Sequence, residues 1–180
     1  GFLENRDPHG GAHQPVRQAD GAWVFSRLRD YVGRGVVTTS TYEARARGVF
    51  SGMGLMKCAR KAPEAILLPA DFDAYRYYSQ CFKAAVAAIA PKIEDRGIDE
   101  IYIDLSDLDE DSTLLASKIK RAVHAATGLT CSIGISPNKT LSKIASELQK
   151  PDGTTVLTPT DWRSRVWPLP TGKINGIGPK

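Results

Sequence analysis

Between Gly97 and Leu105 the sequence runs Gly-Ile-Asp-Glu-Ile-Tyr-Ile-Asp-Leu. Apolar residues at Ile101, Ile103 and Leu105 alternate with Glu100, Tyr102 and Asp104. That is the period of a short strand with one apolar and one polar face. Gly97 supplies the turn that enters it, and Asp99 and Glu100 stand at its mouth. Paired carboxylates on a rigid sheet edge suit a hard divalent cation such as Mg²⁺, which takes oxygen ligands and keeps waters and substrate phosphates as the rest. A solvated strand end is the alternative for the pair taken alone.

The flanks fix the surroundings of that strand. From Asp71 to Ala90, Tyr75, Tyr78, Phe82, Val86 and Ile89 recur at three- and four-residue steps, which predicts a long helix with these residues in the core. Pro91 breaks it, and Ile93 to Arg96 lead into the central hairpin. Asp111 or Ser112 caps a second helix with the stripe Leu115, Ile119, Ala122, Val123 and Ala126; Lys118, Lys120 and Arg121 face solvent and Gly128 ends it. Thr130 to Ile135 forms a further strand, in which Gly134 permits close approach by a neighbour or a ligand. Asn138 caps a third helix burying Leu141, Ile144, Ala145 and Leu148. Lys139 and Lys143 project from it together. Lysines near a helix start oppose the helix dipole, so a nearby anion would compensate them. Thr154 to Leu157 is the last strand. This order predicts an α+β fold, with helices on one face of a mainly antiparallel sheet on a ferredoxin-like plan. The first strand of that plan has to come from residues before 71.

Upstream, residues 1–34 show no period and receive no assignment. Val36 to Thr41 is β-prone. Tyr42 to Arg47 reads as a short helix capped by Thr41 and ended by Gly48. Tyr42 and Arg45 share a helix face, where a guanidinium beside a phenol can clamp phosphate oxygens. Leu55 to Ala59 begins another short helix, Ile66 to Leu68 a small strand, and Pro69 closes this lobe. At the far end Gly176 and Gly178 lie in a small apolar frame followed by Lys180. Glycines so placed can offer backbone N–H groups to a phosphate, as in a helix-hairpin-helix.

Composition bounds the function. The 180 residues are 42% hydrophobic and 24% charged, with no apolar run long enough to span a membrane. Cys58, Cys81 and Cys131 lack metal-site spacing and read as reduced, buried thiols of a cytoplasmic protein. The formal net charge is +4, yet residues 99–111 hold seven acids and no base. An acidic island in a basic chain suits a protein that holds metal at one spot and a polyanion around it.

Four blocks in order carry a resemblance: Thr39-Ser40-Thr41-Tyr42-Glu43-Ala44-Arg45 with Gly48-Val49; Ile98-Asp99-Glu100 with Tyr102 and Asp104; Ser132 to Lys139, running on to Lys143-Ile144-Ala145-Ser146 and Lys150 to Gly153; and Ile174 to Lys180. In these blocks the chain resembles the palm and fingers of Y-family, DinB-type translesion DNA polymerases. The resemblance implies a ferredoxin-like palm over 71–160, fingers over 35–70, and the beginning of a helix-hairpin-helix thumb over 161–180. It implies template-directed transfer of nucleotides from a dNTP to a primer 3′-hydroxyl, with two Mg²⁺ ions, by a cytoplasmic protein acting on primer–template DNA. Asp99 and Glu100 become the metal-binding, catalytic carboxylates. Thr39, Tyr42, Arg45 and Lys143 bind the triphosphate, with Lys139 contributing general electrostatics. Gly176, Gly178 and Lys180 meet the DNA backbone. The family's first catalytic aspartate and its strand have no counterpart in residues 1–34, and Phe2 is the candidate steric gate by approximate location. The expectation is therefore a fragment or a form with an altered N-terminus, with sliding-clamp contact left to a missing C-terminal region and self-association open at a sheet edge. A catalytically silent module that binds nucleic acid or assembles with a partner is the alternative.

Overall fold

The computed structural model describes residues 14–174, 176 and 177. Phe2, Gly178 and Lys180, which carry three of the expectations above, lie outside the described residues. Two units divide after Phe72.

In the first unit β1 (Val16–Arg17) pairs antiparallel with β2 (Trp23–Val24), and β3 (Ser26–Arg27) with β4 (Ile66–Leu67). The β3–β4 pair ties the stretch before residue 35 to the end of the lobe. Leu28 and Tyr31 accordingly join Val37, Val49, Leu55, Cys58 and Ala62 in one buried cluster. The β-prone run Val36 to Thr41 is not a strand; Val36 makes only an isolated bridge to Gly54. Its Val37 N–H donates to the Met53 carbonyl and the Val37 carbonyl accepts from Gly52, so a turn takes the bonds a partner strand would have used. Helix α1 (Tyr42–Ala46) starts at Thr41, whose hydroxyl accepts from the Ala44 N–H at 3.3 Å. It ends before Gly48, which takes the positive φ of 78° that a helix stop requires. Helix α2 (Leu55–Lys61) buries Leu55 and Cys58.

In the second unit α3 (Phe72–Ala87) precedes the hairpin β5 (Ile93–Asp95) and β6 (Ile101–Ile103). The hairpin is antiparallel, with Glu94 opposite Tyr102. Helix α4 (Ser112–Thr127) is capped by Asp111, which accepts from the N–H groups of Thr113 and Leu114, and is stopped by Gly128 at φ 71°. Val86, Ile119 and Val123 form the buried centre, with Phe82, Ile89, Ile93, Ile101, Ile103 and Ile133 packed against it. The apolar face of β6 therefore lies on α3 and α4, as its alternation requires. The aromatic stripe of α3 holds only in its second half. Tyr78 is exposed, its ring meeting Tyr77 edge-on at 5.3 Å.

Strand β7 (Ile133–Ile135) pairs with β8 (Thr154–Val156), and this pairing is parallel. Where the element order predicts one mainly antiparallel sheet, the described residues form separate two-stranded ladders, antiparallel except for this one. Between β7 and β8 runs α5 (Lys139–Leu148), capped by Asn138, whose Oδ1 accepts from the Leu141 N–H at 2.9 Å. Gly134 is where α5 meets β7: a Cβ there would lie 2.0 Å from the Ser142 carbonyl oxygen. Lys120, expected in solvent, is instead largely covered and donates to the Cys131 carbonyl at 3.1 Å, pairing also with Asp152. After β8 come short turns at Pro159–Asp161, Trp162–Val166 and Thr171–Lys173. No helix among the described residues is long and apolar enough to cross a membrane.

Candidate active site

In the first unit the helix start at Thr41 aims one face of α1 outward. Tyr42 is exposed, and the Arg45 guanidinium lies over its ring at 4.8 Å from the centroid. Arg45 Nε donates to the Ser40 carbonyl at 3.1 Å, and Ser40 Oγ donates to the Val49 carbonyl at 2.9 Å. These bonds fix the inner edge of the guanidinium. Its Nη atoms have no hydrogen-bond partner among the described residues. A stacked, oriented guanidinium with a free outer fork can accept two oxygens of one phosphate. Thr39 is exposed two residues before the cap.

In the second unit the hairpin presents its polar face. Glu94, directly across from Tyr102, shares that face with it, and so does Glu100 by alternation. Helix α5 brings its first two turns there. Lys143 Nζ donates to both oxygens of Glu100, at 2.6 Å to Oε1 and 2.5 Å to Oε2. One turn earlier Lys139 pairs with Glu94. Lys139 and Arg96 also flank the Tyr102 ring, at 5.9 Å and 6.0 Å from its centroid. The anions expected from the unfavourable placement of two lysines at a helix start are Glu94 and Glu100. Glu94 was not visible as a site residue in the sequence; the signal that finds it is the hairpin register, which sets it beside Tyr102. The Lys139 ammonium holds the Glu94 carboxyl below the usual carboxylate range. The Ser106 hydroxyl and N–H do the same for Asp104.

Asp99 is exposed just ahead of Glu100. Both precede the strand, which is shorter than its sequence pattern, and Gly97 before them takes φ 144°. The structure thus brings Glu100 and Lys143 together with Asp99 alongside in sequence. Carboxylates are the right donors for a hard cation. Yet no group of three His, Cys, Asp or Glu side chains among the described residues could hold one, and Glu100 is already satisfied by an ammonium. As placed, these residues do not make a complete metal site. Gly176 is exposed and takes a positive φ of 88° in a turn, a conformation glycine adopts without steric cost.

Comparison with known proteins gives a consistent result. The model of the impB/mucB/samB family matches residues 18–147. A DNA polymerase IV of Alkalilimnicola ehrlichii is 44% identical over 149 residues, covering 81% of this chain and 42% of that protein. A DNA polymerase IV 1 of Bacillus subtilis is 40% identical over 171 residues, covering 94% of this chain and 41% of the relative. Among solved structures, DinB from Sulfolobus solfataricus matches with a TM-score of 0.72 at 35% identity, over 81% of this chain and 44% of that one. An insertion ternary complex of Dbh DNA polymerase matches with a TM-score of 0.72 at 32% identity, over 91% of this chain and 46% of the other. The chain spans less than half the length of the curated relatives it matches.

Proposed function

Since this chain belongs to the impB/mucB/samB family, that of the Y-family DinB-type DNA polymerases, we propose that the protein carrying it performs template-directed, translesion DNA synthesis. The primer 3′-oxygen bonds to the α-phosphorus of a dNTP, the bond to the bridging oxygen of pyrophosphate breaks, and the hydroxyl proton is released. In this reading Arg45 and Tyr42, with Thr39 two residues before the helix cap, are triphosphate-binding residues of the first unit, and Lys143 is a triphosphate-binding cation of the second. The observation that carries the reading is the meeting of Lys143 with Glu100 at the mouth of β6, next to Asp99. Lysine and carboxylate are there brought together by two separate elements, α5 and the mouth of β6. Y-family polymerases are generally metal-dependent. Magnesium is the ion this reading calls for, with Asp99 and Glu100 as the oxygen donors that the described residues offer it.

The test is single-nucleotide extension of a labelled primer–template by the protein that carries this sequence. Arg45→Ala is expected to lower kcat/KM about tenfold or more, the worth of a charge-assisted hydrogen bond to phosphate. An unchanged kcat/KM would remove Arg45 from the site. A second reading, a catalytically silent nucleic-acid-binding module, draws on the lack of a three-ligand cluster among the described residues. It predicts DNA binding with no extension.

A further inference from the structure

We propose that the face of the β1–β2 hairpin carrying Arg17 and Trp23 binds single-stranded DNA, an unpaired base stacking on the indole while the guanidinium takes a phosphate beside it. This goes beyond the triphosphate face of α1, and it rests on the polymerase reading only for DNA as the polyanion. The register sets Arg17 directly opposite Trp23 and Val16 opposite Val24. Arginine and tryptophan are therefore neighbours on one face, and the two valines on the other. Trp23 is 57% exposed and takes no part in the buried cluster of its unit, which begins at Leu28. Its ring is open to a planar partner. The turn of the hairpin is fixed: the Gln18 N–H donates to the Ala22 carbonyl at 2.8 Å, the Ala22 N–H donates to Asp20 Oδ1 at 2.9 Å, and Gly21 takes φ 84°. Arg17 Nε donates to the Gly21 carbonyl at 3.4 Å, which holds the guanidinium at that turn, and its Nη atoms have no hydrogen-bond partner among the described residues. Much of the geometry is thus set before a ligand arrives. Charge selects the ligand. Residues 14–34 carry Arg17, Arg27, Arg29 and Arg34 against Asp20 and Asp30. Arg29 pairs with Asp30 and Glu64, whereas Arg17 and Arg34 have no ion pair among the described residues. An exposed indole beside a free guanidinium suits a strand of bases and phosphates, and stacking on an aromatic ring is open to any base. An apolar peptide would instead favour the valine face, which offers no charge.

The experiment titrates a fluorescently labelled oligothymidylate with the protein that carries this sequence and follows anisotropy, without primer, dNTP or divalent cation. Trp23→Ala is expected to weaken binding about tenfold, the worth of one stacked base, and Trp23→Phe to recover most of that loss. Arg17→Ala is expected to weaken binding and to lower the slope of log affinity against log salt concentration by about 0.7, one phosphate contact on a single strand. Arg17→Lys should keep the slope. Val24→Thr, on the opposite face, is expected to stay within about twofold. Unchanged binding by Trp23→Ala with unaltered circular dichroism overturns the proposal, and so does equal weakening by Val24→Thr. Where Trp23→Ala fails to fold, Arg17→Ala decides, and an unchanged salt slope overturns the proposal. Primer extension is read separately. Binding that depends on Trp23 and Arg17 without any extension removes the polymerase reading and keeps the hairpin site. Extension with binding indifferent to both residues does the reverse.

Discussion

Glu94, Asp95, Asp104 and Asp111 are each held below the ordinary carboxylate range, by Lys139, Lys83, Ser106 and Thr113 respectively as the largest cause. A carboxyl whose folded value is depressed adds stability above its unfolded value, and that stability is lost as pH falls through the folded value. The melting temperature, followed by circular dichroism, should therefore hold from neutral pH to about pH 5 and fall steadily below about pH 4, where the unfolded chain takes up protons first. A flat profile down to about pH 3 would contradict these pairings. At this scale the sequence was legible where one residue type in one local pattern decides the matter. Thr41 and Asn138 are caps by type and position, and Asp99 and Glu100 stand out as adjacent acids. Glu94 was not legible, because its partner sits on another element and its face depends on cross-strand register. Tyr78 misled for a related reason: its spacing fits the stripe of α3, but the core ends before reaching it.

The joint between β7 and α5 shows how an element is aimed. Gly134 lets the helix backbone come close enough for the first turns of α5 to carry Lys139 and Lys143 onto the hairpin's polar face. Gly134→Ala would place a methyl group against the Ser142 carbonyl and the Ala145 side chain. It should cost about 2–3 kcal/mol of stability by forcing the two apart, and it should also loosen the Lys143–Glu100 contact. Chemical denaturation measures the first effect; an unchanged midpoint would show that the joint yields freely. The need for glycine here was readable from the sequence, but its neighbour was not. The run Val36 to Thr41 is the converse case. Its β-branched residues have the propensity of a strand, yet propensity makes no ladder where a turn at Gly52 and Met53 takes the backbone bonds first.

At the scale of the whole molecule, helix periods and strand alternation were enough to read an α+β order of elements, while the palm and fingers came from the resemblance of four motif blocks; the likeness to solved DinB-type structures agrees with both. What periodicity could not supply is which strands pair. The β5–β6 and β7–β8 ladders each close on themselves, the second in parallel, and they are not hydrogen-bonded to one another. Pairing is set by long-range closure, for which a single strand's pattern carries no signal. Each unit nevertheless has its own buried cluster, around Leu55 and Cys58 in the first and around Val86 and Ile119 in the second. The central claim is that the carboxylates at the mouth of β6 belong to a nucleotidyl-transfer site. Its most direct test is Mg²⁺-dependent, single-nucleotide primer extension by the protein that carries this sequence, compared with its Asp99→Ala and Glu100→Ala forms. The account predicts incorporation of the template-matched nucleotide, reduced about a hundredfold or more by either substitution. Extension that survives both substitutions unchanged would contradict it.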